Sequence, residues 1–296
     1  MIDFLFGWEF WASAARISVP LALAALGVLI GSRSGYLNIG VEGVMLFGSF
    51  SAVAGTVVGD SPWAGIAAAI LAGILVNLLV VWLAVRLGMG YVLSGVVVFV
   101  LALGFTGFLD RFWFPTGTIL TGNTLRPLWG LPLQPLFYVA VGAAVAMAYF
   151  FRYMQSGLIV RSAGEGAEVA NTFGVNVAKL RLWAAVAGGV LIGLGGASLS
   201  MGVVGSFSDD MTAGRGFIAL ACVILGGWRP LGVVLAAGFF GTIDALHYAL
   251  ASRQAGDIGE IVVVLPYVIT LIALAALWGR TQGPPEEVED LEPRSF

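Results

Sequence analysis

Long apolar blocks fill this chain, separated by short clusters of glycine, proline and charge. Nine blocks read as spans, at roughly residues 14–30, 40–58, 63–85, 92–109, 136–151, 182–204, 211–227, 231–250 and 261–278. Each is about long enough to cross a hydrocarbon core of ~30 Å at ~1.5 Å per residue. The runs are continuous and lack the ten-residue alternation of a barrel strand. In lipid the backbone must satisfy its own polar groups, so helices are the element that fits. The expected fold class is therefore all-α, a polytopic membrane helical bundle of about nine spans. The seventh block is the least regular. It holds Arg215, its unbroken apolar stretch covers only 217–225, and a broken or re-entrant helix would account for it.

Composition agrees with the pattern. Of 296 residues, 59% are hydrophobic and 10% charged, against about 25% charged in soluble domains. Mean hydropathy is +0.97. An ordinary cytosolic enzyme or a disordered chain is excluded. With a single cysteine, Cys222, so is a disulfide-stapled secreted domain. A net charge of −3 leaves no basic footprint for nucleic acid.

Charge placement sets orientation. Nine spans put the termini on opposite sides. Arg33, Arg86, Arg152, Arg161, Lys179, Arg181, Arg229, Arg280 and Arg294 fall on one side; Arg16, Arg111, Arg126, Arg215 and Arg253 fall on the other. The richer side is expected to be cytoplasmic. That places the N-terminus outside, the C-terminus inside, the connection 110–135 outside and the connection 152–181 inside. Residues 1–281 form one transmembrane domain with an internal polar segment at 152–181. Residues 282–296 form an acidic tail with a disordered composition.

The chemistry available is narrow. A phosphate-cradling Gly-Lys-Ser/Thr loop needs a lysine, and the one lysine, Lys179, stands between Ala178 and Leu180. One histidine and one cysteine offer no zinc set. No cofactor is expected. Three polar features remain. The first is 162–174, where Ser162 and Glu165 have capping-box spacing and Gly174 sits where a left-handed cap would close a short helix. Ala163, Ala167 and Ala170 would form a small-residue face, with Val169 and Phe173 beside it and Asn176 capping the next span. Such a helix either docks on a cytoplasmic partner or is a solvated topology loop. The second is Asn38 and Glu42, four apart in a glycine-rich span start. They either line a translocation path or cap the interface, with Glu42 pairing Arg33. The third is Asp244 and His247, three apart, either a proton relay or a polar pair between helices. Asn77, alone in the third span, reads more as interhelical glue than as a ligand.

The run from Ser34 to Gly48, containing Asn38-Ile-Gly-Val-Glu42-Gly, resembles the opening signature of the membrane permeases of bacterial ABC importers for simple sugars, nucleosides and branched-chain amino acids. The run from Gly157 through Arg161, Ser162, Gly164, Glu165, Ala170, Phe173 and Gly174 is similar to that family's cytoplasmic coupling loop. Gly214 to Gly232 is similar to its later block. The likeness is nearest to the nucleoside-type branch. It departs at Ser32 and Arg33, where family members often carry Glu.

The resemblance implies eight to ten spans in the bacterial inner membrane. It also implies a cytoplasmic ATP-binding subunit docked on Arg161–Gly174, a second and different permease chain, and an extracytoplasmic substrate-binding protein. The chain would then be a transport subunit without its own ATPase site. A stand-alone proton-coupled carrier using Glu42 or Asp244–His247 is the alternative.

Overall fold

The computed structural model describes residues 7–114, Leu125, residues 132–251 and Val268. The described residues are mostly helical, with no β-strand among them. In chain order they form α1 (Trp8–Arg33), α2 (Val41–Gly59), α3 (Pro62–Leu87), α4 (Gly90–Trp113), α5 (Pro135–Tyr153), α6 (Gln155–Glu165), α7 (Ala167–Thr172), α8 (Val177–Ala197), a π-helical turn (Ser198–Val204), α9 (Arg215–Leu225) and α10 (Pro230–Ala251).

Local chemistry explains the boundaries. Ser61 accepts from the Trp63 N–H at 3.3 Å, and Pro62 opens α3 where no intrahelical donor is needed. Gly88 closes α3 in the left-handed region at φ 64°. Pro135 opens α5 in the same way.

Seven helices among the described residues are long and apolar enough to cross a membrane: α1 to α5, α8 with its π-helical continuation, and α10. They coincide with seven of the nine expected spans. The expected seventh span is instead the eleven-residue α9. At 1.5 Å per residue it covers about 16 Å, half a bilayer core. The expected ninth span, 261–278, the acidic tail and most of the connection 110–135 lie outside the described residues.

Three helices make the centre. The most apolar windows of α1, α2 and α8 are 83%, 72% and 67% buried, against 28% for α5. Lipid supplies no hydrophobic drive between helices, so close backbone contact must do the work. A Cβ on Gly73 would lie 2.3 Å from the Gly189 carbonyl oxygen, and one on Gly27 would lie 2.6 Å from that of Gly188. Only glycine lets α8 approach α3 and α1 this closely.

The link between α1 and α2 does not stay at the surface. Asn38 in this link bonds Asn77, which stands ten residues, or about 15 Å, inside the Leu87 end of α3. So α2 begins near mid-depth. α9 begins beside it and runs back to the Arg33 end. Two half-depth helix starts therefore meet inside the bundle.

Candidate functional site

The meeting point is built around Glu42. The link 34–40 carries Asn38 inward, so Asn38 stands in a loop rather than one turn before Glu42 on a shared helix face. Its side-chain Nδ2 donates to the Asn77 side-chain Oδ1 at 2.7 Å, and Asn77 Nδ2 donates to the Ala185 backbone carbonyl at 2.7 Å. This amide chain ties the loop, α3 and α8 together, as expected for Asn77.

Glu42, in the first turn of α2, accepts from the Gly214 N–H at 2.8 Å and from the Gly216 N–H at 2.6 Å. Its carboxylate thus satisfies two orphan donors at the start of α9 and sits at the positive end of that helix dipole. Gly216 is required for this approach, because a Cβ there would lie 2.6 Å from the Glu42 Cα.

The expected Glu42–Arg33 pair is not formed. Arg33 lies about half a bilayer away along the bundle and donates through Nε to the Trp228 carbonyl at 3.0 Å. Asn38, Glu42 and Asn77 are each at most 1% exposed. The structure places all three inside this chain, where they hold helices together.

Asp244 and His247 are likewise not joined. The partner of Asp244 is Arg215, at 3.9 Å, and both side chains are mostly buried. Arg215 also donates to the Tyr248 hydroxyl at 3.2 Å. His247 Nδ1 is buried without a hydrogen-bond partner. The arrangement pins the start of α9 to α10 through one ion pair. No hydrogen bond joins His247 to Asp244, and the Arg215 contact could not be told from spacing because Arg215 is 29 residues upstream.

The polar segment differs from the single capped helix that Ser162 and Glu165 suggest. Ser162 lies inside α6, where its hydroxyl donates to the Ile159 carbonyl at 2.9 Å, and Glu165 is the last residue of that helix. The Ser-x-x-Glu spacing falls at a helix end instead of a start. The helix begins earlier because Gly157 packs against the backbone of α5 at Phe150, forming a tight elbow.

α7 follows after Gly166, and its end does carry the expected cap. Gly174, at φ 83°, donates to the Asn171 carbonyl, and Val175 donates to that of Ala170, the two bonds of a Schellman motif. Asn176 caps α8 by accepting from the Lys179 N–H at 2.9 Å.

The small face points inward. Ala163 and Ala170 are buried with Val177, and a Cβ on Gly164 would lie 2.5 Å from the Arg33 carbonyl oxygen. Ala167 is half-buried. The outward face holds Val169 and Phe173, the latter 84% exposed. Arg161 and Glu165 make a loose exposed pair at 3.9 Å.

A further residue was not singled out by the sequence. Gln134 is buried, with Nε2 donating to the Gly202 carbonyl of the π-helical turn, while its Oε1 has no partner. It lines a hollow of about 560 Å³ with Trp8, Glu9, Arg16 and Met201 at the bundle end opposite α6 and α7. Nothing in a single glutamine before a proline signals this.

Residues 11–274 match the family described as branched-chain amino acid transport system / permease component. The chain belongs to this family. It is similar to a nucleoside ABC transporter permease protein of Lactococcus lactis, 32% identical over 90% of this chain and 91% of that one. A guanosine ABC transporter permease protein of Bacillus subtilis is 31% identical over the same shares. A protein of Haloferax volcanii, named provisionally as a glucose ABC transporter permease protein, is 37% identical over 79% of this chain and 75% of that one. With seven membrane-length helices, the chain is a multi-pass ABC transporter permease. A transport-subunit role fits the family.

Proposed function

We propose that this chain forms one half of the translocation pathway of an ATP-driven importer for nucleosides or chemically related purine and sugar solutes. The observation that carries the reading is end-to-end similarity to two permeases named for nucleosides and guanosine. Its companions are a cytoplasmic ATP-binding subunit, a second and different permease chain, and an extracytoplasmic binding protein. The membrane is the inner membrane, with the α6–α7 segment cytoplasmic and the N-terminus outside, in keeping with the nine-to-five distribution of Lys and Arg.

The mechanism follows from the half-depth helices. Closure of the ATPase pushes on α6 and α7 through an outward knob formed by Val169 and Phe173. α6 transmits the push to the end of α1, because Gly164 is seated on the Arg33 carbonyl. Arg33 in turn holds Trp228, just past the end of α9. The opposite end of α9 hangs on Glu42. A displacement at the coupling segment is thus delivered to a short helix anchored at mid-depth, the kind of element that can tilt to alternate access. Glu42, bonded to two backbone N–H groups, acts here as an anchor, which supports the ATP-driven reading over the secondary-transporter one.

The test is uptake of radiolabelled guanosine in cells lacking the chain and in cells with it restored. Uptake should return with the chain, stop on ATP depletion and survive an uncoupler while ATP is maintained. Restoration of glucose uptake alone would overturn the nucleoside assignment. Uncoupler sensitivity at constant ATP would overturn the ATP-driven one.

A further inference from the structure

We infer that the Arg33 end of the bundle carries a binding site for the phosphate headgroup of an anionic phospholipid. The site is a hollow of about 940 Å³ between the ends of α1 and α5, the elbow into α6, and the turn from α9 into α10. Four arginines line it: Arg33, Arg152, Arg161 and Arg229. Among the described residues, no aspartate or glutamate does. Arg33 is committed to the Trp228 carbonyl and holds the wall in place. Arg161 has its Nε buried without a partner, and its loose contact with Glu165 engages Nη2 only. Arg152 and Arg229 are exposed at the rim. Four guanidinium groups around one hollow repel each other, and an oxyanion accepting several N–H bonds is the chemistry that relieves this.

The hollow's position selects a lipid over a soluble anion. It lies at the ends of membrane-length helices, at the headgroup level, where Tyr153 lies beneath the Arg152 guanidinium at 5.6 Å in the manner of an interfacial aromatic. Below it the walls become apolar and stay exposed. Ala148 lines the hollow, and Val145 and Val141 continue its face of α5 at helical spacing, 56% and 42% exposed. On α10, Leu231 lines the hollow and Leu235 follows one turn deeper, 75% exposed. From Arg152 to Val141 is eleven residues, about 16 Å, or one leaflet's depth of acyl chain. A basic mouth above an apolar cleft of that depth matches an anionic phospholipid such as phosphatidylglycerol. Basic pockets between spanning helices hold such headgroups through charge and hydrogen bonds together.

The experiment uses the full chain purified in detergent and exposed to an equimolar mixture of dioleoyl phosphatidylglycerol and dioleoyl phosphatidylcholine. Native mass spectrometry then counts retained lipid. The wild type should retain phosphatidylglycerol in preference. Arg152→Gln with Arg229→Gln should weaken that retention roughly thirtyfold, about fivefold per charge removed at the headgroup level. Arg152→Lys with Arg229→Lys should keep most of it, and a melting curve should show both doubles folded. Millimolar glycerol phosphate should not displace the lipid. Equal retention by the folded Gln double variant would overturn the site. Displacement by glycerol phosphate alone would overturn the lipid assignment and mark a soluble-anion site.

Discussion

Glu42 is the residue on which the interior depends most. Its two backbone donors, at 2.6 and 2.8 Å, belong to the buried Gly216 and the half-buried Gly214. Glu42→Ala orphans both N–H groups at about 1–3 kcal/mol each. The expected outcome is a clear fall in thermal stability, read by the melting of the purified chain, and loss of uptake. Glu42→Gln keeps one acceptor oxygen and should fall between. Asp244 and His247 should behave differently. His247→Ala removes a ring whose Nδ1 has no partner, so uptake should stay near wild type. Asp244→Asn loosens a 3.9 Å contact to Arg215 and should weaken folding modestly without making uptake sensitive to an uncoupler. Abolished uptake in His247→Ala at normal ATP hydrolysis would return the histidine to a transport role.

At the scale of elements, α6 and α7 divide their labour by face. The inward face is structural, so Gly164→Leu should destabilise the chain itself, because its side chain would strike the Arg33 backbone. Overpacking of this kind costs about 1–3 kcal/mol, seen as poorer folded yield whether or not the ATPase is present. The outward face is the one proposed to dock the ATP-binding subunit. Phe173→Ala exposes nothing and removes a knob that is 84% exposed. The variant should insert and melt like wild type yet lose co-purification with the ATP-binding subunit. Wild-type co-purification by Phe173→Ala would leave this segment a topology loop. Asn176→Ala should cost about 1 kcal/mol at the start of α8 through the lost cap.

For the whole molecule, orientation is the open physical quantity, and labelling measures it. In a Cys222→Ala background, Glu168→Cys on the exposed side of α7 should resist an impermeant thiol reagent in intact cells and react after permeabilisation. Thr118→Cys in the long connection should react at once. The reverse pattern would invert the bundle and, with it, the side on which an ATPase could dock.

Much of this protein is decided by its sequence alone. Hydrophobic runs of membrane length force helices, because no other open element satisfies its backbone in lipid. Gly174 and Asn176 state their own caps, since each acts on neighbours within a few residues. The family signatures are contiguous strings and need no fold to be read. Partnerships across the fold are not legible in that way. Glu42 could have met Arg33 or solvent; only the packing of α9, 172 residues away, brings Gly214 to it. Asp244 found Arg215 instead of the nearby His247. The Ser162–Glu165 spacing suited a helix start but fell at a helix end, because the tight elbow at Gly157 had already begun the helix. Short-range bonds follow from composition and spacing, whereas the partner of a buried charge depends on which distant backbone the close-packed helices leave beside it.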